Sequence, residues 1–466
     1  MKENVQYQEP IFMVVDIGGS KYMPGFVDHA GTILYQDRRE WTAVEPEAVV
    51  EQLKEALHDI CTKHPELAEK TKAGGLTIPG FADPVSGVWV ESDFLIVKDL
   101  PICDILSKEF GIPFFADNDC NACALAEKYF GGAKEYKEFL YLTVSTGIGG
   151  ALYLEDELYY GGFWHAGEIG LFVLEEDGRP SDSGSVNGVI EMYASGRGFS
   201  KNFVEAGGPE IVDGRTPGGP EISGLAKEGN EAALRALELE GLYLGRAIAN
   251  ACALVDFKKI ILGGGLSLLF EQYQEILRRE FARIQPERNV EIEATRLGYS
   301  GAFLGAAAVA VRGLEGFCGS KGAGKAEECV FHVKVGQDSV ESVLELEGMP
   351  YACHEASFGS FLAAKTIEDP GQNLNQLVKA GNLKQWEGIS DTEETKKVLF
   401  RLGSQIGKAV ACAAILLDPG KVTMEGLGTQ SDAFQEGLLE TVKRETYYRG
   451  NLPFTVQWTI PDEKDR

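Results

Sequence analysis

The chain has little positive charge, and this shortage restricts its partners. Its 466 residues include 44 Lys and Arg against 71 Asp and Glu, which gives a formal net charge of −27. Such a field repels the phosphates of nucleic acids and of anionic membranes. We therefore expect neither as a partner, and a bound nucleotide would have to be held by local backbone N–H groups and a metal ion.

Long apolar runs are also missing. No run approaches the roughly 18 apolar residues that span a bilayer, and the opening MKENVQYQEP has no apolar leader segment. We expect a soluble, cytoplasmic protein. A chain of 466 residues is too long for one ordinary core, so two or three domains are predicted.

The cysteines lack the spacing of a disulfide framework. There are nine, an odd number scattered along the chain, and they are most simply reduced thiols. Cys120 and Cys123 form a C-x-x-C pair, but no second pair follows to complete a metal site. We interpret both as small packing residues.

The sequence also lacks the GxxxxGK[ST] phosphate loop, yet three apolar strands end in other glycine-rich turns. Glycine lets bare backbone approach a phosphate, and an acid with a following Ser/Lys pair suits a magnesium-bound polyphosphate. Each turn alone is equally compatible with an ordinary structural turn. The turns are Asp16-Ile17-Gly18-Gly19-Ser20-Lys21, Ser145-Thr146-Gly147-Ile148-Gly149-Gly150 and Gly263-Gly264-Gly265.

Apolar periodicity predicts an α/β organisation. Pro46 to Lys63 is typical of an amphipathic helix, and a short strand from Ile112 to Ala116 precedes a helix from Asn121 to Tyr129. A run of glycines after residue 312 is typical of a linker. The predicted boundaries are a first lobe 1–136 with 296–312 packing back on it, a second lobe 137–295, a linker 313–328 and a last region 329–466.

The last region carries an internal repeat. Gly245–Gly265 aligns without gaps, at a shift of 162, with Gly407–Leu427, and eight of the 21 positions are identical. Residues 329–466 are therefore predicted to be a degenerate second copy of the second lobe. Near Gln337 and Asp338 the copy lacks the bare turn, and Ser357 replaces Glu168.

The order of these motifs resembles the ROK family of sugar kinases and sugar-responsive regulators. The resemblance runs from about Phe12 to Arg312 and includes DIGGSK, NDCNACALAE, STGIGG, HAGEIG and ILGGG. It implies a two-lobed actin-like ATPase (ribonuclease H-like) fold, to which the repeat adds a third, degenerate α/β lobe. It also implies binding of ATP and magnesium. The residues so assigned to the nucleotide are Asp16, Gly18, Gly19, Ser20, Lys21, Ser145, Thr146, Gly147, Gly264 and Gly265, with Asp16 facing magnesium through water.

By the same resemblance Asp119 is the catalytic base that accepts the proton of a sugar hydroxyl. A helix N-cap is the alternative for Asp119, although Asp117 and Asn118 suit that role equally well. The residues assigned to the sugar are Gly80, Asn118, Asp119, Glu168 and Glu191. The alternatives are an exposed turn acid for Glu168 and an exposed helix acid for Glu191.

One departure from the family concerns a structural zinc site. Many members carry a His and three Cys there, whereas this chain has Leu171, Ser181, Ser183 and Val189 at or near those positions. We therefore predict no zinc. Ser145, where the family usually has Gly, is a second departure.

These residues favour an ATP-dependent kinase acting on a hexose or a hexose derivative. The alternative is a non-catalytic sugar-binding or regulatory protein. A DNA-binding repressor is disfavoured, since only about ten residues precede the first strand. Because family members usually pair through their second lobes, we hypothesise that 330–466 acts as a built-in partner, which gives a monomeric pseudo-dimer or a weak homo-oligomer. Docking of this region elsewhere is the other possibility.

Overall fold

A computed structural model describes residues 9–92, 95–181, 184, 186–211, 214–316, 324–351, 358–369, 371–382, 392–446 and 452–459. Two compact units are formed. The first unit comprises Met1–Tyr141, Ala151–Leu158 and Thr295–Ser320. The second unit comprises Leu142–Gly150, Tyr159–Ala294 and Lys321–Arg466.

Strands dominate the first third of the chain. In chain order the elements are β1 Ile11–Ile17, β2 Lys21–Asp28, β3 Ile33–Gln36, β4 Arg39–Glu40, α1 Pro46–Lys63, α2 Pro65–Ala68, β5 Thr71–Ile78, β6 Phe81–Asp83, β7 Val88–Ser92, β8 Val97–Leu100, α3 Ile102–Phe110, β9 Phe114–Asn118, α4 Asp119–Tyr129, β10 Phe139–Val144, β11 Ile148–Leu154 and β12 Glu157–Tyr159.

Helices are more frequent from residue 191 onwards. The elements are α5 Glu191–Ala194, α6 Gly196–Glu205, α7 Gly219–Lys227, α8 Glu231–Leu254, β13 Lys259–Gly263, α9 Phe270–Ile284, β14 Glu291–Ala294, α10 Gly301–Leu314, β15 Cys329–Val335, β16 Val340–Leu346, β17 Met349–Pro350, α11 Leu374–Gly381, α12 Glu393–Leu417, β18 Lys421–Gly426, α13 Asp432–Glu445 and β19 Thr455–Thr459.

The main sheet of the first unit has strand order β3-β2-β1-β5-β9, with β4 paired to β2. Side chains alternate across β1: Met13 and Val15 pack in one apolar core with residues of α1 and α3, whereas Phe12 and Val14 pack in another with residues of α10. Both faces are thus covered. The carboxyl ends of three parallel strands, β1, β5 and β9, meet at one edge of this sheet.

Two further five-stranded sheets share one strand order. Their orders are β12-β11-β10-β13-β14 and β17-β16-β15-β18-β19. Gly264 after β13 and Gly426 at the end of β18 both have positive φ, of +79° and +108°. Gly245 on α8 and Gly407 on α12 both let a neighbouring helix approach closely, because a Cβ there would lie 2.7 Å from Leu277 O and 2.9 Å from Leu438 O.

One face of the last sheet is polar and accessible to solvent. Along β15 the buried side chains Phe331, Val333 and Val335 alternate with the less buried His332 and Lys334. His332 bonds Thr423 of β18 and Glu345 of β16 on that outer face. The opposite face of β15 is apolar and buried. By length and composition alone α12 could cross a membrane, but most of it is buried inside the protein.

Candidate functional site

The first unit places a row of polar side chains across its strand ends. Asp16 on β1 pairs in register with Thr77 on β5, and Thr77 pairs with Asp117 on β9. The Thr77 hydroxyl donates to Asp16 Oδ1 over 2.8 Å and accepts from Ile17 N over 3.1 Å. Burial raises the pKa of Asp16, and the Thr77 hydrogen bond opposes that shift. In open parallel sheets this edge is the usual ligand position.

The predicted DIGGSK turn connects β1 to β2. Gly18 N donates to Lys21 O over 2.9 Å, and the Trp41 indole donates to Gly18 O over 2.9 Å. The ring of Trp41 stacks on Tyr22, with centroids 4.1 Å apart. Gly19, Ser20 and Lys21 are exposed. The turn is therefore fixed from one side and leaves three predicted nucleotide residues accessible.

Asp119 begins α4, but it is not the cap of that helix. Asn118 is the N-cap, and its Oδ1 accepts from Cys120 N over 2.8 Å and from Asn121 N over 3.4 Å. Asp119 Oδ1 also accepts from Cys120 N, over 2.8 Å. The capping alternative thus applies to Asn118, and the position of Asp119 needs another explanation.

The environment of Asp119 favours proton acceptance near neutral pH. Burial, together with the negative charge of Asp16, raises the pKa of Asp119 to about 6. The bond from Cys120 N acts in the opposite direction. A carboxylate with this pKa is ionised at neutral pH yet is a better base than an ordinary Asp.

Asn118 and Gly80, both predicted to bind sugar, are in direct contact. Asn118 Nδ2 donates to Gly80 O over 2.8 Å. Gly80 has φ +105°, and a Cβ atom there would collide with Glu91 O, so the position requires glycine. The first unit therefore brings Gly80, Asn118 and Asp119 to one strand edge.

In the second unit the Ser145–Gly147 turn is tied to two helices. Ser145 N donates to Gly147 O over 2.9 Å, and Gly196 N at the start of α6 donates to Ser145 O over 2.6 Å. Glu191, at the start of α5, accepts from Ile148 N through Oε2 over 2.9 Å. A Cβ at Gly147 would lie 2.5 Å from the same Oε2. Glu191 therefore holds the turn and is not a freely exposed helix acid.

The third glycine turn lies beside the second. Gly264 packs against Val144, the residue before Ser145, and a Cβ at Gly264 would lie 2.5 Å from Val144 O. The Ser267 hydroxyl donates back to Gly264 O over 2.7 Å. A Cβ at Gly265 would meet nothing within 4 Å. Two of the predicted nucleotide turns are thus neighbours, with open space at Gly265.

Glu168 lies in a loop that interlocks with the same hairpin. It is half-buried and precedes the 3-10 turn Ile169–Leu171. A Cβ at Gly150 would lie 2.8 Å from Gly167 O, and one at Gly170 would collide with Ile148 O. The glycines of STGIGG and of HAGEIG therefore allow the two segments to pack backbone to backbone.

The segment that departs from the zinc-binding pattern is only partly described. Leu171 lies in the 3-10 turn, Val189 is buried, and Ser181 Oγ accepts from Val186 N over 3.3 Å. Ser183, and also Ser357 of the repeat, lie outside the described residues. Within the described ranges no group of three or more His, Cys, Asp or Glu side chains is arranged to hold a metal.

Three residues at the first site were missed by sequence reasoning. Thr77 bonds Asp16, while Asp117 bonds Arg312 of α10. A polar Thr within the buried strand β5 was a usable signal. The pairing of Asp117 with Arg312 joins positions 195 residues apart, and no local sequence pattern predicts it.

Comparisons with known proteins identify the family of the chain. The model of the ROK family matches residues 12–312. A glucokinase of Streptomyces coelicolor is 29% identical over 312 residues, which are 64% of this chain and 96% of that protein. A xylose repressor of Caldicellulosiruptor bescii is 28% identical over 283 residues, 57% of this chain and 70% of that protein.

Among solved structures, a ROK family glucokinase from Streptomyces griseus, in complex with glucose and AMPPNP, superposes with a TM-score of 0.55. It is 27% identical, and the match covers 65% of this chain and 99% of that one. Residues after 312 lie beyond the segment that the family model matches.

Proposed function

Because the chain belongs to the ROK family, with the actin-like ATPase fold of its sugar kinases, we propose that it is an ATP-dependent kinase acting on a hexose or a hexose derivative. The observation that carries the proposal is the state of Asp119. It lies at the strand edge beside Asn118 and Gly80, the capping role is filled by Asn118, and its pKa is about 6. It is therefore available to accept a proton.

In the proposed reaction a hydroxyl oxygen of the sugar attacks the γ-phosphorus of ATP. The new O–P bond forms as the bond from that phosphorus to its bridging oxygen breaks, and ADP leaves with that oxygen. The hydroxyl proton passes to the Asp119 carboxylate. A base so placed contributes ~10²- to 10⁴-fold to the rate, and positioning and charge neutralisation supply the rest.

The nucleotide residues fit this role in both units. The exposed Gly19, Ser20 and Lys21 offer N–H, hydroxyl and ammonium donors, and Gly265 leaves room for a ligand. We propose that Thr146 and Gly147 hold phosphate and that Gly264 and Gly265 lie near the nucleoside. Asp16 would hold magnesium, which commonly binds through one or two carboxylates plus substrate phosphates and supplies charge neutralisation.

For the sugar we propose Glu168 and Glu191 in the second unit, together with Gly80 and Asn118 in the first. Carboxylates are strong acceptors for hydroxyl groups. Glu191 already accepts from Ile148 N, so its proposed role is double: it binds sugar and fixes the phosphate turn. The relative crystallised with glucose and AMPPNP supports a hexose and a nucleoside triphosphate as the ligands.

We also propose that residues 329–466 are a degenerate repeat of the second lobe. The shared strand order and the paired glycines, Gly245 with Gly407 and Gly264 with Gly426, support it.

The test is ADP release from Mg-ATP, measured against a panel of hexoses, N-acetylhexosamines and β-glucosides. Asp119→Asn should lower turnover by ~10²- to 10⁴-fold and leave the fold intact. Asp432→Asn is the matched control, because Asp432 is likewise the first residue of a helix, α13. An Asp119→Asn variant as active as the parent protein contradicts the assignment.

A sugar-binding regulator is the second candidate, and the xylose repressor relatives favour it. It predicts a different result in the same assay. A panel sugar would raise the melting temperature, yet no sugar would stimulate ADP release by the parent chain or by Asp119→Asn.

A further inference from the structure

The loop that carries Glu168 is held by the end of α12. Gly162 N donates to Asp418 O over 2.7 Å, and Gly167 N donates to Leu416 O over 2.9 Å. Phe163 N and His165 N both donate to one carboxylate oxygen, Asp418 Oδ2, over 2.7 and 3.0 Å. Most backbone donors between residues 162 and 167 therefore end on Leu416 and Asp418.

The contact also satisfies the helix. The last carbonyl groups of an α-helix have no partner within the helix. Here Leu416 O accepts from Gly167 N, and Leu417 O accepts from the hydroxyl of Tyr159 over 2.6 Å. The negative end of the helix dipole thus faces a row of N–H donors. The end of α12 supplies hydrogen-bond acceptors, and the loop supplies the donors.

The burial and the backbone conformation of Asp418 both indicate a specific role for this residue. Its side chain is buried with 1% exposure, and its backbone has φ +46°, a region that costs free energy for any residue except glycine. A carboxylate acceptor makes stronger hydrogen bonds than a neutral one. The aligned residue of the first copy, Asp256, pairs instead with Lys258 and Arg288.

We propose that Asp418 is a positioning residue for the sugar site. It fixes the 160–171 loop so that Glu168 presents its carboxylate to the sugar. Residues 329–466 thereby stabilise the sugar site. The inference rests on the proposed function for the role of Glu168. It adds that the region beyond the family match is required for sugar affinity.

The experiment uses the full chain and two substitutions. Asp418→Gly removes the carboxylate and keeps a residue suited to positive φ, while Asp418→Asn keeps an oxygen that can accept from Phe163 N and His165 N. With the best sugar of the panel, Asp418→Gly should raise the sugar KM by about tenfold, since the backbone N–H groups of Phe163 and His165 lose their acceptor. The KM for Mg-ATP should stay within about twofold, and Asp418→Asn should recover most of the loss.

Asn382→Gly is the matched control. Asn382 ends α11 in the same region with φ +44°, is exposed and lies on a different helix from Leu416 and Asp418. It should change neither KM. An unchanged sugar KM in Asp418→Gly, or equal rises for sugar and Mg-ATP, overturns the proposal. If Asp418→Gly does not fold, Tyr159→Phe replaces it, because it removes the bond to Leu417 O and should raise the sugar KM by about threefold.

A binding measurement tests the positioning role of Asp418 if the kinase proposal is wrong. If the parent chain turns over no sugar, calorimetry with D-glucose and the panel sugars measures affinity directly. Weaker sugar binding by Asp418→Gly, restored by Asp418→Asn, then supports the positioning role in a non-catalytic protein. Equal binding by all three proteins rejects that role whatever the chemistry.

Discussion

Arg312 donates from Nη1 to Oδ2 of Asp117 over 3.2 Å, which ties the last turn of α10 to the end of β9. The other oxygen of Asp117 accepts from Asn118 N over 2.8 Å and from Asn121 Nδ2 over 3.1 Å. Asp117 is almost fully buried, with 1% exposure. One carboxylate thus fixes the junction that carries Asn118 and Asp119.

Replacing Arg312 with Met should lower the free energy of unfolding by about 3 kcal/mol, because removing one partner of a buried ion pair leaves the other charge uncompensated. Urea unfolding measures this. The double variant with Asp117→Asn should recover part of the loss. Lys108→Met, which breaks an exposed pair with Asp104 at 4.0 Å, should cause no measurable change. Similar losses of unfolding free energy for Arg312→Met and Lys108→Met would contradict the special role of the pair between Arg312 and Asp117.

The rate should depend on pH through Asp119. Its pKa is about 6, raised by burial and then by Asp16, and only the ionised carboxylate accepts a proton. The value of kcat/KM for the sugar should therefore be constant above about pH 7 and fall about tenfold per pH unit well below pH 6. The coupling enzymes are checked separately at each pH with added ADP. A flat profile down to pH 4.5 would remove Asp119 from the proton-transfer step.

Glu240 should make the protein less stable at alkaline pH. It is fully buried on α8, its carboxylate oxygens have no hydrogen-bond partner among the described residues, and burial raises its pKa well above the ordinary value. Because the native state binds the proton more tightly than the unfolded state, stability is lost as pH rises above the unfolded pKa. At the same shift of 162, five residues before the aligned segment, the corresponding residue is Leu402.

Glu240→Gln should therefore raise the melting temperature more at pH 8 than at pH 4.5. Glu238→Gln is its control, since Glu238 lies two residues away on the same helix, half exposed and paired with Arg235. A gain of equal size at both pH values would show that the effect comes from packing and not from the charge of Glu240.

The chain should be a monomer in dilute solution. Arg246 on α8 donates to Thr366 O over 2.6 Å and Ile367 O over 3.1 Å, and Lys408, at the aligned position on α12, bonds Glu176 over 3.4 Å. If residues 329–466 are a repeat of the second lobe, Arg246 and Lys408 are matching positions that each bond the other repeat, as in a two-fold interface. Sedimentation equilibrium should give a mass of 50.6 kDa. A tight symmetric dimer through residues 137–295 would exclude the built-in partner.

Local patterns in the sequence predicted much of the fold. The helix predicted for Pro46 to Lys63 has those bounds, because its apolar residues repeat at helical spacing. The helix expected from Asn121 begins two residues earlier, at Asp119, since the Asn118 side chain caps it. The family resemblance is confirmed by the match over residues 12–312. The glycine turns at strand ends were predictable because glycine fits where φ is positive, as at Gly264, or where another group approaches closely, as Glu191 does at Gly147.

The remaining features of the site depended on contacts between positions that are distant in the sequence. The bond from Ile148 N to Glu191 spans 43 residues, and that from His165 N to Asp418 spans 253. Neither side chain differs in sequence from an ordinary surface acid. The roles of Asp117 and Asp418 follow from their burial and their partners, and those properties exist only in the folded chain.

The bonds from Gly162 and Gly167 to the end of α12 lie within one polypeptide. A separate subunit that held this loop would dissociate on dilution, whereas a tethered segment stays at a high effective concentration whatever the protein concentration. The specific activity of this chain should then be the same at nanomolar and micromolar enzyme. Each polypeptide would carry one complete loop, so its saturation by sugar should be hyperbolic, with no communication between paired sites.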